Sequence, residues 1–173
     1  SGDKGEIDSD GYVKITGRIK ELYVSSGGKN IAPLVIEETM KSIPMVSQCM
    51  LIGDGRKYCS ALFTLDVGAI LRDKHGMDPA KILKDPAVQI TTLESFGKTL
   101  SDYTDSEEIF NEMQVEVSRL NGQFSNPEQI KKFTILPRDL NVDFGELTPT
   151  LKIRRIQIRE NWASEIESMY EGA

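Results

Sequence analysis

The sequence predicts an α+β fold in which a short β-sheet packs against helices and carries a helical insertion. Three observations support this prediction: apolar and polar residues alternate early in the chain, two apolar runs follow, and apolar residues recur at helical spacing through the middle. The length of 173 residues fits one domain with its own core. With 39% apolar and 28% charged residues, the chain is expected to fold rather than stay disordered.

The first elements are predicted to be two strands, a loop and a helix. Residues 12–16 alternate between apolar and polar side chains, as half-buried strands do, and a second strand is predicted at residues 19–24. The loop at residues 25–30 contains two adjacent glycines, which permit backbone conformations that a side chain would forbid. Pro33 suits the first turn of the helix that follows, and Pro44 ends that helix.

Two buried strands are predicted next, at residues 46–52 and 60–67, joined by a glycine-containing turn at residues 53–56. A later strand at residues 132–136 is expected to return to the same sheet, and a final helix is predicted at residues 161–170. Together with the first helix, these strands indicate a small α+β layer.

Residues 68–126, between the strands, are predicted to form the helical insertion. Residues 97–103 are polar and are expected to form a loop, and Thr104 to Glu107 resembles a capping box at the start of the longest helix. The apolar stripe of that helix is expected to pack into the core. The predicted helical stretches are residues 70–75, 79–84 and 107–120.

Charge and composition exclude several classes of function. The net charge of −6 lacks the basic footprint of a nucleic-acid-binding protein, and no apolar run is long enough to span a membrane. Cys49 and Cys59 have no CxxC partner or histidine nearby, which favours buried free thiols over a disulfide or metal site and a reducing, cytoplasmic location. His75 is expected to be a solvated helix cap, and no metal site is predicted.

Three separated segments are unusual for a plain structural domain: Ser1-Gly2-Asp3, Gly11-Tyr12-Val13-Lys14-Ile15-Thr16-Gly17-Arg18-Ile19-Lys20-Glu21 and Gly145-Glu146-Leu147-Thr148-Pro149-Thr150-Leu151-Lys152. In order and approximate spacing, they closely resemble the late motifs of the adenylate-forming (AMP-binding) acyl-CoA synthetases. Members of this family use ATP to convert a carboxylic acid to an acyl-adenylate with release of pyrophosphate, and then transfer the acyl group to the thiol of coenzyme A. The resemblance implies the fold of the small C-terminal lid domain of that superfamily.

The resemblance assigns three residues to the first half-reaction. It implies that Asp3 binds the ribose of ATP or AMP, where a carboxylate can accept from two hydroxyl groups, and that Arg18 lies near the ribose and phosphate. It also implies that the ammonium group of Lys152 reaches the substrate carboxylate and the α-phosphate during adenylation. Leu151 stands directly before this lysine, where the commonest family form has glycine.

Other positions match the part of the family that serves the second half-reaction. Lys20 matches the hinge about which the C-terminal domain rotates, and Ser26, Gly27 and Gly28 match the loop that faces the coenzyme A tunnel. Glu37 fits the family pattern with a structural role on its helix. The basic residues Lys131, Lys132, Arg154, Arg155 and Arg159 are predicted to form a solvated face, with a patch near the coenzyme A phosphates as the alternative.

The resemblance also predicts how the chain is organised. Residues 1–20 are expected to be the end of the large N-terminal adenylation domain and the hinge, and residues 21–173 the mobile lid. The family's phosphate loop, adenine site and acyl pocket have no counterpart here, so the chain alone is expected to be inactive. Its expected partners are fatty acid, ATP, coenzyme A and the missing N-terminal domain, which would hold most of the ATP and Mg²⁺.

The insertion at residues 68–131 and the segment ending at Lys152 resemble the long-chain and very-long-chain fatty acid–CoA ligases. Two alternatives remain open. One is another adenylate-forming enzyme, either a ligase for a different acid or an acyl-AMP ligase that passes its product to a carrier protein. The other is a non-catalytic, stand-alone binding module with the lid fold, against which the presence of Asp3, Lys20 and Lys152 argues. Any contact with membranes is expected to come from the rest of the protein.

Overall fold

The computed structural model describes residues 3–7, 9–18 and 21–173, and these form the predicted α+β arrangement of short sheets and helices. The strands are β1 (Asp3–Ile7), β2 (Val13–Arg18), β3 (Tyr23–Val24), β4 (Asn30–Ile31), β5 (Val46–Ile52), β6 (Cys59–Leu65) and β7 (Ile130–Ile135). The helices are α1 (Pro33–Met40), α2 (Val67–His75), α3 (Pro86–Ser95), α4 (Ser101–Thr104), α5 (Glu107–Asn121), α6 (Arg155–Asn161) and α7 (Ala163–Ser168).

The main sheet has the strand order β5-β6-β7. β5 and β6 are antiparallel, with Met50 opposite Leu62, whereas β6 and β7 are parallel, with Ala61 opposite Phe133. The long connection that a parallel pair requires is the helical insertion of α2 to α5. β1 pairs with β2, and β3 pairs with β4, in two further antiparallel pairs.

Every residue of β6 is buried, because the main sheet is covered on both faces. On one face, side chains such as Phe63 join a core formed with α1, α2 and α5. On the other face, Leu62 packs with Trp162 and Ile166 of the C-terminal segment. Alternate residues of the central strand therefore belong to two separate apolar clusters.

Helix α2 of the insertion has a polar side-chain cap at its start and a glycine at its end. The side chain of Asp66 accepts a hydrogen bond from the backbone N–H of Ala69 at the start of α2, and Gly76, at φ 63°, ends that helix.

The apolar stripe of α5 is buried as predicted at Met113, Val117 and Leu120. Phe110 is partly exposed and stacks on Phe133, with ring centroids 4.5 Å apart.

Several predicted boundaries in the insertion are wrong. The helix expected at residues 79–84 is only a 3-10 turn, Pro79–Lys81, and the next helix, α3, was not predicted. The sequence repeats Asp-Pro at 78–79 and 85–86, and the carboxylate of Asp85 caps the true helix by accepting from the backbone N–H groups of Ala87 and Val88. α4 falls partly within the stretch that was expected to be a loop.

The predicted capping box of α5 is also wrong. Ser106, not Thr104, is the N-cap, and its hydroxyl accepts from the backbone N–H of Ile109 at 3.3 Å. Thr104 is instead the last residue of α4, and its hydroxyl has no hydrogen-bond partner in the part of the chain that the structure describes.

Corrections at other element ends are smaller. Of the strand predicted at residues 19–24, only Tyr23–Val24 is a strand among the described residues. β6 ends at Leu65, so Val67 already belongs to α2. The predicted C-terminal helix begins earlier, at Arg155, and is interrupted at Trp162, whose φ of −117° is not helical.

The single histidine and the two cysteines are packed rather than solvated. His75 Nε2 lies 2.5 Å from the Tyr103 hydroxyl oxygen and its ring stacks on Phe96, so the prediction of a solvated cap is wrong. Cys49 and Cys59 are free and buried, as predicted. Among the described helices, none is long and apolar enough to cross a membrane.

Candidate functional site

Lys152 lies in a tight hairpin formed by residues 147–153, which we call the lysine hairpin. Leu147 and Ile153 form an antiparallel bridge at its base, and the backbone N–H of Thr148 donates to the Lys152 carbonyl at 2.8 Å. The N–H of Leu151 donates to the Thr148 carbonyl at 2.8 Å, which closes a turn with Pro149 at its second position. This is a three-residue hairpin loop, a type that usually ends in a left-handed residue.

Leu151 is that left-handed residue. Its φ is 62°, and it is the one non-glycine residue with positive φ in the described part of the chain. For a side chain with a Cβ atom this conformation costs roughly 1–2 kcal/mol. The turn geometry thus gives a physical reason why glycine is common at this position in the family that the sequence resembles.

The side chain of Lys152 projects from this strained tip and is exposed. Its backbone N–H donates to the Thr148 hydroxyl at 3.0 Å, so the loop fixes the main chain of the lysine. Within the described residues, its ammonium group makes no hydrogen bond and no ion pair. The hairpin therefore offers a positive charge on a flexible stem, attached to a fixed backbone.

Glu146, the residue just before the hairpin, anchors the base of this loop. Its side chain is completely buried and accepts two hydrogen bonds from Arg138, each 2.8 Å long. Further donors are the Trp162 indole N–H at 3.0 Å, the Asn161 amide at 3.1 Å and the backbone N–H of Asn141 at 3.2 Å. Burial alone would raise the pKa of Glu146, but these donors outweigh burial and hold the pKa below its usual value.

Arg138 is itself held by two aromatic rings. Its guanidinium carbon lies 4.0 Å from the ring centroid of Phe144 and 4.9 Å from that of Trp162. The planar guanidinium can stack on aromatic faces while its edge donates to a carboxylate. The Glu146–Arg138 pair therefore ties the lysine hairpin to the second apolar cluster of the sheet.

A second buried ion pair links α6, just after the hairpin, to α1. Arg155 donates two hydrogen bonds to the Glu37 carboxylate, at 2.7 and 2.5 Å, and the backbone N–H of Leu51 donates to the same carboxylate at 2.9 Å. Burial raises the pKa of Glu37, and the hydrogen bonds from Arg155 oppose that shift. Arg155 is therefore the ion-pair partner of Glu37, the residue for which a structural role is predicted.

Tyr23 of β3 extends this polar cluster. Its hydroxyl donates to the Leu51 carbonyl at 2.9 Å and accepts from Arg155 and Arg159, at 3.3 and 3.1 Å. Desolvation raises the pKa of the Tyr23 hydroxyl. The prediction of a solvated basic face is therefore wrong for Arg155 and Arg159, whereas the other three residues of that set are exposed: Lys131, Lys132 and Arg154.

An open cavity of about 370 Å³ lies beside the lysine hairpin. Lys152 and Leu151 line it from the hairpin, Leu34 and Lys41 line it from α1 and its C-terminal end, and the Glu37–Arg155 pair contributes to its wall. Glu21 and Glu38 line it as well, so charged groups of both signs and apolar side chains share one concave surface next to the exposed lysine.

The predicted coenzyme A loop is an exposed turn that joins β3 to β4. The Gly28 N–H donates to the Ser25 carbonyl at 2.9 Å, and Gly28 has a φ of 79°, which favours glycine. The N–H of Ser26 donates to the Arg56 carbonyl at 3.1 Å, which holds the turn against the β5–β6 connection. Ser26, Gly27 and Gly28 are all exposed, so ligand could approach their backbone.

The two predicted nucleotide-binding residues are brought together by the first hairpin. Asp3 of β1 is paired directly with Arg18 of β2, so their Cα atoms lie opposite each other although they are far apart in sequence. The side chains of both lie outside the described residues, and so does the whole of the predicted hinge residue Lys20. Among the residues that the structure describes, no cluster of three or more His, Cys, Asp or Glu could hold a metal ion.

Comparison with known proteins shows which domain this chain resembles in sequence and in fold. Residues 20–94 match the family model of the AMP-binding enzyme C-terminal domain. The A domain of a carboxylic acid reductase from Segniliparus rugosus has a similar fold, with a TM-score of 0.69 and 17% identity over 98% of this chain and 23% of that one.

Among curated proteins, the chain is similar to long-chain-fatty-acid–CoA ligases. It is 36% identical to FadD15 of Mycobacterium tuberculosis over 170 residues, which cover 98% of this chain and 26% of that protein. It is also 36% identical to ACSBG1 of Mus musculus over 176 residues, which cover 99% of this chain and 24% of that protein. The chain thus spans about a quarter of the length of these relatives.

Sequence reasoning missed the residues that position the lysine hairpin. The sequence pattern marks Glu146 only as part of a motif and marks Arg138 not at all. A local signal exists for this pair, because Arg138 and Glu146 are only eight positions apart and flank the short loop of residues 139–145. No comparable signal exists for Glu37 and Arg155, which are 118 positions apart.

Proposed function

We propose that this chain is the C-terminal portion of an ATP-dependent long-chain fatty acid–CoA ligase. The whole enzyme would form an acyl-adenylate and pyrophosphate from a fatty acid and ATP, and would then transfer the acyl group to coenzyme A. The names of the relatives support this substrate class. Because the chain spans about a quarter of those relatives, we expect the phosphate-binding and acyl-binding parts to be supplied by a large N-terminal domain.

The observation that carries the proposal is the exposed ammonium group on an anchored hairpin. Negative charge spreads over the carboxylate and the α-phosphate as the fatty acid attacks ATP, and a cation brought to that point stabilises the transition state. Lys152 has no competing partner among the described residues, while buried ion pairs hold the segments on either side of its loop. We assign it to adenylation.

The other assignments follow the same reaction. Asp3 and Arg18, paired across the first hairpin, would contact the ribose and phosphate of the nucleotide. Lys20 would be the hinge between residues 1–20 and the lid of residues 21–173. The exposed turn at Ser26, Gly27 and Gly28 would face the pantetheine arm of coenzyme A after rotation. We expect Mg²⁺ to bind with the triphosphate in the N-terminal domain.

The test is to separate the two half-reactions in the full-length protein. Lys152→Ala should lower the rate of pyrophosphate release from ATP and a fatty acid by on the order of 10² or more, the scale for losing one electrostatic stabiliser. Acyl-CoA formation from a supplied acyl-adenylate should largely survive. Lys84→Ala, which removes an exposed lysine in the insertion, serves as the control and should leave both rates unchanged.

Equal loss of both half-reactions in Lys152→Ala would contradict the assignment, because it would indicate a general folding or binding defect. The same assay distinguishes the acceptor. If the wild-type enzyme released pyrophosphate but transferred the acyl group to a carrier protein and not to coenzyme A, the protein would be an acyl-AMP ligase instead.

A further inference from the structure

The peptide group that joins Leu151 to Lys152 is held by a side chain. Its N–H belongs to Lys152 and donates to the Thr148 hydroxyl at 3.0 Å. The backbone of Thr148 also bonds to Leu151 and to Lys152, at 2.8 Å each. Among these bonds, the one to the hydroxyl can be removed by a side-chain substitution that leaves the backbone groups of the loop in place.

The orientation of this peptide group depends on the strained residue before it. Leu151 has a φ of 62°, in the left-handed region, where a residue with a Cβ atom is disfavoured and glycine is not. Rotation of Leu151 to an ordinary conformation would turn the peptide group and carry the Lys152 N–H away from Thr148. The hydrogen bond and the left-handed conformation therefore stabilise each other.

Thr148 acts on the backbone of the lysine and not through the neighbouring cavity. Leu151 and Lys152 line that cavity, whereas Thr148 is not one of its lining residues. The Thr148 hydroxyl also lies 3.0 Å from the hydroxyl of Thr150, within the same loop. The position of the Lys152 backbone limits where the long side chain can carry its ammonium group, so a bond that fixes this backbone also restricts the charge.

We propose that Thr148 is a positioning residue for adenylation: its hydroxyl holds Leu151 in the left-handed conformation and so fixes the backbone from which the Lys152 side chain extends. This inference rests on the proposed function, in which Lys152 serves adenylation. An interaction made only in the transition state is weakened when its backbone is misplaced, so loss of the hydroxyl slows adenylation without weakening the binding of ATP or fatty acid. The thioester step, which does not use Lys152, is spared.

The experiment removes the hydroxyl in the full-length protein and measures the first-turnover rate of pyrophosphate release. Thr148→Val keeps a branched side chain but removes the acceptor, and should lower this rate at saturating substrates by roughly 3- to 10-fold, as expected for losing one hydrogen bond. The substrate concentrations that give half the maximal rate should not change, and neither should acyl-CoA formation from a supplied acyl-adenylate. Thr148→Ser, which keeps the hydroxyl, should behave like the wild type.

The matched control is Thr91→Val, which removes an exposed hydroxyl that bonds within helix α3 and should leave every rate unchanged. A second comparison tests the link to Leu151. Glycine adopts the left-handed conformation readily, so in a Leu151→Gly background Thr148→Val should slow adenylation by less than about twofold. Equal losses in the two backgrounds would contradict the role assigned to the hydroxyl.

A wild-type adenylation rate in Thr148→Val overturns the inference, and so does an equal loss of both half-reactions in a protein that circular dichroism shows to be folded. A Thr148→Ser variant as slow as Thr148→Val overturns it as well, because the hydroxyl would then not be the group that matters. Lys152→Ala, run in parallel, separates these outcomes from failure of the proposed function. Normal adenylation in Lys152→Ala removes both, whereas slow adenylation there with a wild-type rate in Thr148→Val removes this inference alone.

Discussion

At the scale of single residues, Glu146 shows how a buried charge can be kept ionised. Its carboxylate is fully buried, a state that by itself favours the neutral form, yet it accepts from a guanidinium, an indole, an amide and a backbone N–H. These hydrogen-bond donors outweigh the effect of burial, so the pKa of Glu146 lies below the ordinary value of 4.5. The lysine hairpin is thereby anchored through Glu146, a side chain outside the loop.

This lowered pKa predicts acid sensitivity. Because the folded pKa of Glu146 lies below the unfolded one, its contribution to stability is present above about pH 4.5 and is lost as the pH falls through the folded pKa. Urea unfolding of Glu146→Gln should therefore show a smaller loss of stability between about pH 6 and pH 3 than the wild type. Glu171→Gln, an exposed control near the end of the chain, should keep the wild-type profile; a profile equally flattened there would contradict the assignment.

At the scale of elements, the helix after the lysine hairpin is held to α1 by a pair of opposite charges. The Arg155 side chain is 17% exposed and that of Glu37 is 3% exposed, so the pair is largely removed from water. The cost of removing both charges from water offsets much of their attraction. The main effect of such a pair is to penalise arrangements in which either charge is buried without its partner. We therefore expect the pair to fix the position of α6 but to add little to the total free energy of unfolding.

A double-mutant cycle tests this expectation. Glu37→Leu and Arg155→Met should each destabilise the chain by about 3–5 kcal/mol, because each leaves one buried charge without its partner. The double variant should recover most of that loss, as measured by urea unfolding. Replacing both members of the exposed Arg72–Asp73 pair is the control and should change little. Losses that simply add would show that the two residues act independently.

At the scale of the whole molecule, two loops adjoin, along the chain, the residues of one polar cluster, Tyr23 and Arg155. The turn with Gly27 and Gly28 follows Tyr23 in β3, and the lysine hairpin precedes Arg155 in α6. If both loops serve one active site in succession, as we propose, residues 21–173 would have to move as a body. The backbone between the proposed lid and the proposed N-terminal domain would absorb this movement, with Lys20 as the proposed hinge.

Lys20→Pro in the full-length protein tests the hinge, because proline holds φ at about −65° and restricts the preceding residue. We expect the lid to be trapped in the adenylating pose, so pyrophosphate release should persist while acyl-CoA formation falls steeply. Lys20→Ala should be mild, since the side chain is not a reacting group. The hinge assignment fails if proline slows neither half-reaction, or slows both in a protein that circular dichroism shows to be folded.

Local patterns predicted much of this fold. Pro33 marked the start of α1, although that helix ends at Met40, before Pro44; apolar runs marked β5 and β6, and helical spacing marked α5, because each signal lies within one element. The missed helix α3 was also a local failure, since the capping carboxylate of Asp85 was available in the sequence. The interruption at Trp162 had no such signal, because that residue packs into a cluster built from distant segments.

The sequence by itself determined the α+β class, the family resemblance and the identity of the exposed lysine, since these depend on residue type and order along the chain. The tertiary structure decided which charges are buried and paired, that β6 is covered on both faces, and that Leu151 occupies a left-handed turn. The reason is physical: burial and electrostatic coupling depend on distance in space, and 118 positions of chain separate the two residues that join α1 to α6.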